Sequence, residues 1–380
     1  MKAAIYSYHA DRYFGHPGNQ PVNENKAQLV LCFGGIDLLR KTDAYELLKK
    51  RFPAAAIAIC STSGEIFHTE VMDDTLSITV MEFEQTQIQS NQINIAAYPD
   101  SYEAGKELIR LFPREGLSYV LVLSDGIYVN GSELVRGMNE SAGEGILITG
   151  GLAGDGSRFS STLVGLNAPP QEGVIAAIGF YGNKIRVQHG SRGGWETFGM
   201  EKLVTKSSYN VLYQIDNYNA LELYKQYLGP EAESLPGSAL LFPLSVRLPG
   251  TDEPVVRTIL SIDNNSGSLT FAGDIPEGSM VRFMKANFDK LTNAASGAAE
   301  SARTSSHASP GLALLISCVG RKIILKKRTD EEVEAVNEVL GDQTLLSGFY
   351  SHGEISPNRI GGRCELHNQT MTITTFDEIQ

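Results

Sequence analysis

Cysteine is scarce in this chain: Cys32, Cys60, Cys318 and Cys364 are four residues in 380, and no two share a Cys-x-x-Cys spacing. Without that spacing, neither a zinc ribbon nor a thioredoxin-type redox pair is encoded, and four scattered thiols suit a reducing cytoplasm, the expected location. Basic residues are also short, 32 Lys and Arg against 44 Asp and Glu, for a formal charge of -12. No basic stripe is present to neutralise phosphates, so nucleic-acid binding is not expected. The longest apolar stretches, residues 54–60 and 173–180 among them, fall well below the roughly 20 residues that a membrane helix needs. The segment from Met1 to His9 has one lysine and no apolar h-region, so a secretory signal is not expected. Neither Gly-x-Ser-x-Gly nor His-Glu-x-x-His occurs, and Cys364-x-x-His367 is half a zinc site at best.

What is present is a chain 42% apolar, long enough for two to three domains with real cores. One pattern occurs three times: apolar run, glycine corner, helix, second apolar run, second glycine corner. The first copy runs from Leu29 to Ile66, with a helix over residues 42–52 capped by Thr42 or Asp43 and stopped by Pro53. The second starts at Val120, has a helix over 132–141, and ends in Gly150 to Gly156. The third starts at Leu312, has a helix over 330–340 with a Thr329/Glu332 capping box, and ends in Gly353-Glu354-Ile355, as the first ends in Gly64-Glu65-Ile66. Between the last two copies, residues 173–181 and 184–188 read as a hairpin closed by Gly182-Asn183. A helix over 219–228 is ended by Gly229-Pro230. Ala294, Ala298 and Ala302 favour close-packed helix across the Ser/Ala-rich stretch 293–310, and residues 370–374 alternate as a strand. The expectation is an α/β protein, with α+β as the alternative: two domains, mixed sheets and related strand-helix-strand units.

Ligands of open α/β sheets bind beyond the carboxyl ends of strands, where glycine lets the backbone approach and helix N-termini offer free N–H groups. The expected pocket is therefore built from Cys60, Ser61, Thr62, Gly64 and Glu65; Ser124, Asp125 and Gly126; Gly150, Gly151, Gly154 and Asp155; Cys318 and Arg321; and Tyr350, His352, Gly353 and Glu354. Tight turns without a ligand are the competing reading. Gly150-Gly151-x-x-Gly154 is neither a dinucleotide fingerprint nor a P-loop. Glu65 or Glu354 can hold a ligand ammonium, or simply cap backbone N–H groups. Arg321 can take a ligand carboxylate, or be tied to a structural acid. An Arg with a Glu is what an amino-acid ligand requires. Cys60 and Cys318 are the candidate thiols of an enzyme, with His352 as base, against the plainer reading of buried cysteine. His189, followed by a glycine-rich segment with Arg192 and Trp195, offers the parts of a haem site, and His352 is a second candidate axial ligand; a hydrogen-bonded histidine is the default.

The corners Cys60-Ser61-Thr62-Ser63-Gly64-Glu65-Ile66, Gly150-Gly151-Leu152-Ala153-Gly154-Asp155, Ser317-Cys318-Val319-Gly320-Arg321, Gly348 to Ile355 and His367-Asn368-Gln369-Thr370 together resemble the FIST family, in its order, over nearly the whole chain. The resemblance implies an N-terminal domain over 26–218, after a segment 1–25, and a C-terminal domain over 219–380. It implies a non-enzymatic intracellular sensory module for small ligands such as amino acids. With no room for an attached output domain, the signal passes to a separate protein. Standalone members that sense nitric oxide through haem and control a histidine kinase give the sharpest version. The family often carries tyrosine at His352, and its signature names no axial ligand.

Overall fold

The computed structural model describes residues 1–235, 237–303, 309–359 and 361–379. The apolar runs become strands buried along their full length, Leu29–Gly35, Leu312–Cys318 and Leu345–Ser351 among them. Such runs are what a sheet covered on both faces needs. Each of the three copies is one unit of a ring. In unit I, Leu29–Gly35 lies parallel to Ala56–Thr62 and antiparallel to Leu76–Glu82, which pairs in turn with Lys2–His9. Unit II repeats the order with Leu117–Ser124, Leu147–Leu152, Val174–Tyr181 and Gln87–Asn94. Unit III does so with Leu312–Cys318, Leu345–Ser351, Met371–Glu378 and Ile185–Arg192.

The units exchange strands. After its second corner, each sends a short strand to the edge of a neighbouring sheet. Glu65–Phe67 of unit I pairs with Leu345–Ser351 of unit III, Gly353–Pro357 of unit III with Leu147–Leu152 of unit II, and Val164–Leu166 of unit II with Ala56–Thr62 of unit I. The exchange closes on itself. The inner faces of all three sheets meet in a single core that includes Leu31, Phe33, Leu121, Tyr119, Ile316, Phe349 and Phe376. Phe33 stacks on Phe349, with ring centroids 4.8 Å apart. Helices cover the outer faces: Ala44–Arg51 on unit I, Ser101–Arg110 and Gly131–Ala142 on unit II, Phe288–Ala302 and Thr329–Leu340 on unit III.

Within unit III the ring is interrupted by a further antiparallel sheet, from Glu196–Ser208 to Met280–Lys285, with its own core around Val204, Tyr224, Phe271 and Phe283. This inserted sheet and two of the ring sheets each take strands from both sides of residue 218, so the spatial units interleave along the chain.

Most local expectations hold. Asp43 accepts from the Glu46 N–H to cap Ala44–Arg51, Asn219 caps Ala220–Leu228, and Gly229 ends that helix at φ +57°. Ala298 and Ala302 are buried in Phe288–Ala302, while residues 304–308 of the expected helical stretch lie outside the described residues. Two expectations fail. Val174–Tyr181 and Ile185–Arg192 do not form a hairpin: they belong to different sheets, because Gly182-Asn183 is the passage from unit II to unit III. Nor is there a capping box at Thr329: Glu332 is buried and faces inward.

Gly348 and Gly150 occupy equivalent places, and a Cβ at either would sit 1.8 Å from Leu315 O and 1.9 Å from Val122 O respectively. A main-chain carbonyl inside a sheet cannot rotate away. Gly348→Ala is therefore expected to destabilise the fold by about 3 kcal/mol, the upper end for overpacking. Urea unfolding checks this, with Gly297→Ala, where the nearest atom to the added carbon is Arg192 Cγ at 3.8 Å, as the comparison.

Candidate functional site

The corners come together at one end of the ring, where the exchanged strands leave their units. The Gly154 N–H donates to Ser61 O at 2.9 Å and Ser61 Oγ to Gly154 O at 2.8 Å. The Ser63 N–H donates to Tyr350 O and the Tyr350 N–H to Gly64 O, both at 2.8 Å, and the His352 N–H reaches Leu152 O at 3.2 Å. Ser351 Oγ donates to Ser317 O at 3.2 Å. The result is a hydrogen-bonded plug rather than the shared pocket expected. Gly151 and Gly353 are needed for this closeness: a Cβ on either would press on Ile316 or Leu152 side chains at 2.8 and 3.0 Å.

The carboxylates of the corners are held by their own loops. Thr62 Oγ1 donates to Glu65, as do the Thr75 N–H at 3.0 Å and Thr75 Oγ1 at 2.9 Å. Glu354 repeats the arrangement with Ser351 Oγ at 2.7 Å and the Thr370 N–H and Oγ1 at 3.2 and 2.8 Å. Asp155 accepts from Ser160 N–H and Oγ and from the Ser161 N–H. Asp125 accepts from the Ile127, Tyr128 and Gly173 N–H groups and from Thr162 Oγ1, while Ser124 Oγ donates to Asp125 O. Capping is thus the geometry adopted at each acid. Burial pushes Glu65 up to about 7 and Glu354 to about 8, against those hydrogen bonds. Burial would raise Asp155 too, but bonds from His352, Ser160 and Ser161 outweigh it and hold that carboxyl well below the ordinary range.

Arg321 is tied to a structural acid. Its Nε and Nη2 donate to Glu332 Oε2 at 2.9 and 2.7 Å, and its other N–H groups reach Gly193 O and Leu291 O. Both side chains are 0% exposed, and Ser317 Oγ and Tyr350 OH complete the Glu332 carboxylate at 3.1 and 2.5 Å. No donor of Arg321 is left for a ligand carboxylate, and removing either partner would strand a buried charge at a cost of about 3–5 kcal/mol.

The thiols are closed in as well. Cys60 Sγ donates to Ser61 O inside the ring core, and burial pushes Cys60 and Cys318 well above the ordinary thiol range, the opposite of what a nucleophile requires. His189 lies within the strand Ile185–Arg192, its Nδ1 3.5 Å from Ser356 Oγ, and burial lowers its pKa. The glycine segment after it is not loose: Gly190 lies in the strand, where a Cβ would meet Ala298 O at 2.0 Å. Trp195 Nε1 donates to Gln369 O at 2.9 Å. His189 is thus enclosed among the described residues, with Ser356 beside one ring nitrogen and Ala298 against the neighbouring Gly190.

Gly126 and His352 are the expected residues that reach a cavity. The His352 ring stacks on Phe159, centroids 4.4 Å apart, with Nε2 at 3.3 Å from Asp155 Oδ1 and Nδ1 buried without a partner. It lines a cavity of about 340 Å³ between the segment 126–131 and the inserted sheet at Phe271 to Asp274. Asp274 also lines a larger cavity of about 640 Å³, walled by the helix Gly131–Ala142, the segment Arg363 to Leu366, and the inserted sheet at Leu248, Pro249 and Arg257. The two cavities adjoin at Asp274, and both lie in the cleft between ring and inserted sheet. Few polar contacts bridge it nearby: Asn130 Nδ2 to Asp274 Oδ1 at 3.0 Å, Asp274 N–H to Ser132 Oγ at 3.1 Å, and Arg257 Nη1 to Leu366 O at 2.8 Å. Asn130, Arg257 and Asp274 were not among the expected site residues. A signal existed for one of them, since Gly273-Asp274 repeats the glycine-acid pair of Gly64-Glu65, Gly154-Asp155 and Gly353-Glu354.

The FIST N domain model matches residues 28–218 and the FIST C domain model residues 220–357. The chain belongs to the FIST family of sensory domains that bind small ligands. No match is found among curated proteins. Among solved structures, the cyanuric acid hydrolase from A. caulinodans aligns over 100% of this chain and 99% of its own, at 7% identity and a TM-score of 0.40. No helix among the described residues is long and apolar enough to cross a membrane.

The raised Glu65 and Glu354 predict a pH signature. The folded state binds their protons more tightly than the unfolded chain, so their contribution is complete below the ordinary glutamate range and is lost as pH rises through about 7 to 8. Thermal unfolding from pH 5 to 9 should show the wild type losing stability relative to a Glu65→Gln/Glu354→Gln variant as pH rises. Parallel curves would contradict it.

Proposed function

We propose that this protein senses a small ligand in the cleft between the ring and the inserted sheet, and that a separate signalling protein reads the bound state. The observation that carries this reading is the cleft itself. Its larger lobe of about 640 Å³ falls in the range of small-molecule sites, roughly 300–1,000 Å³. Its walls come from two bodies with separate cores, so a ligand touching both changes how they sit together. Such a ligand shifts the equilibrium only by its difference in affinity for the open and closed arrangements. A histidine kinase is the partner that the haem-sensing members of the family suggest. Haem-based nitric-oxide sensing through His189 or His352 is the sharper version of this reading, and the His352 Nδ1, buried without a hydrogen-bond partner among the described residues, is a nitrogen that could serve as a ligand.

Hydrogen exchange tests this, with pooled L-amino acids and haemin as separate additions. Slowed exchange in 126–133 together with 271–276 is the expected result for the occupied cleft. Protection confined to other segments, or none with either addition, would contradict it.

A further inference from the structure

Among the described residues two arginines are almost completely buried, and they are treated differently. Arg321 has Glu332. Arg257, 2% exposed on the inserted sheet, has no carboxylate partner among the described residues: Nε donates to Asp274 O at 3.1 Å, and Nη1 to Leu366 O at 2.8 Å and Val256 O at 3.3 Å. Its Nη2 makes no hydrogen bond with the described residues, and the side chain lines the 640 Å³ lobe. Burial lowers its pKa to about 10, and Glu365 and Asp274, near it but not hydrogen-bonded to its N–H groups through their carboxylates, offset that only in part. Gly273 holds the fork in place: a Cβ there would lie 2.9 Å from Nε and 3.0 Å from Cζ.

The other ionisable groups of the lobe decide what kind of anion fits. Glu133 is paired with Arg136, and Glu140 with Lys106. Asp274 accepts from Asn130 with Oδ1, its Oδ2 makes no hydrogen bond with the described residues, and burial raises its pKa. Glu365 is half-buried and likewise raised by burial, with Arg257 and exposed Arg363 near it acting the other way. A phosphate dianion would face Asp274 and Glu365 as well as Arg257, whereas a single carboxylate joined to a cation satisfies both signs. We propose that the larger lobe is a site for a small zwitterion, its carboxylate on Arg257 and its ammonium on Asp274. This rests on the reading that the cleft holds the ligand.

Titration calorimetry of the full chain tests it, with the standard L-amino acids, their carboxamides and inorganic phosphate as probes. At least one amino acid should bind, its carboxamide much more weakly. Arg257→Lys, which loses the planar fork, and Asp274→Asn should each weaken binding about tenfold or more. If Arg257→Lys does not fold, Gly273→Ala, which displaces the guanidinium, and Asp274→Asn decide. The proposal is overturned if no amino acid binds, if carboxamides or phosphate bind as well as the acids, or if folded variants bind like wild type. Ligand protection of the cleft that persists in these variants would overturn the zwitterion site alone and leave the sensor reading standing.

Discussion

Strand exchange between the three units is the constraint on which the rest of this structure depends. Each parallel pair, such as Leu29–Gly35 with Ala56–Thr62, would have an open edge, and each edge is covered by three to five residues borrowed from another unit. Open edges are costly and invite association, and closure removes them. Because the borrowing is cyclic, no unit can leave without uncovering the sheet edge of one neighbour and stranding the exported strand of the other. The Phe33, Tyr119 and Phe349 side chains then share one core that no single unit could bury.

Exchange also explains the chemistry at the ring's end. A chain that leaves one sheet for the next must turn sharply between two buried strands, which frees backbone N–H groups that have no ladder partner. Glu65 and Glu354 take those of Thr75 and Thr370, and Asp155 takes those of Ser160 and Ser161. These acids are therefore committed to the fold, and so are Arg321 and Glu332 beneath them. The cavities that Gly126, His352 and Asp274 line lie where the ring stops, against the inserted sheet. The ring has the cooperative packing of a scaffold, and the sheet is joined to it across the cleft by few hydrogen bonds.

Much of this was legible in residues. The three apolar-glycine-helix copies are the three units, and the Gly-Glu-Ile repeat marks two of the three crossing points. The third crossing, at Gly154-Asp155, keeps the acid but not the isoleucine. Local pattern could not show where an exported strand goes, because Gly182-Asn183 is a good turn whether its strands pair together or part. Glu332 fitted a capping box by spacing, yet Arg321 eleven residues earlier claims it in the core. The corners were read as a pocket because glycine permits close approach, and here that approach is by other corners. Arg257 was invisible: an arginine after two valines in a short strand says nothing of burial until the cleft around it is seen.

The central claim is that the ring stays rigid while the inserted sheet moves against it as the cleft fills. The four native cysteines are buried, so spin labels can be directed to introduced surface cysteines. Pulsed electron spin resonance would compare an Arg110→Cys/Lys206→Cys pair, spanning ring and inserted sheet, with a Lys50→Cys/Arg110→Cys pair inside the ring, before and after addition of pooled L-amino acids. The account predicts that the first distance distribution shifts or narrows while the second is unchanged. Two unchanged distributions in a sample shown to bind the added ligand, or equal shifts in both pairs, would contradict it.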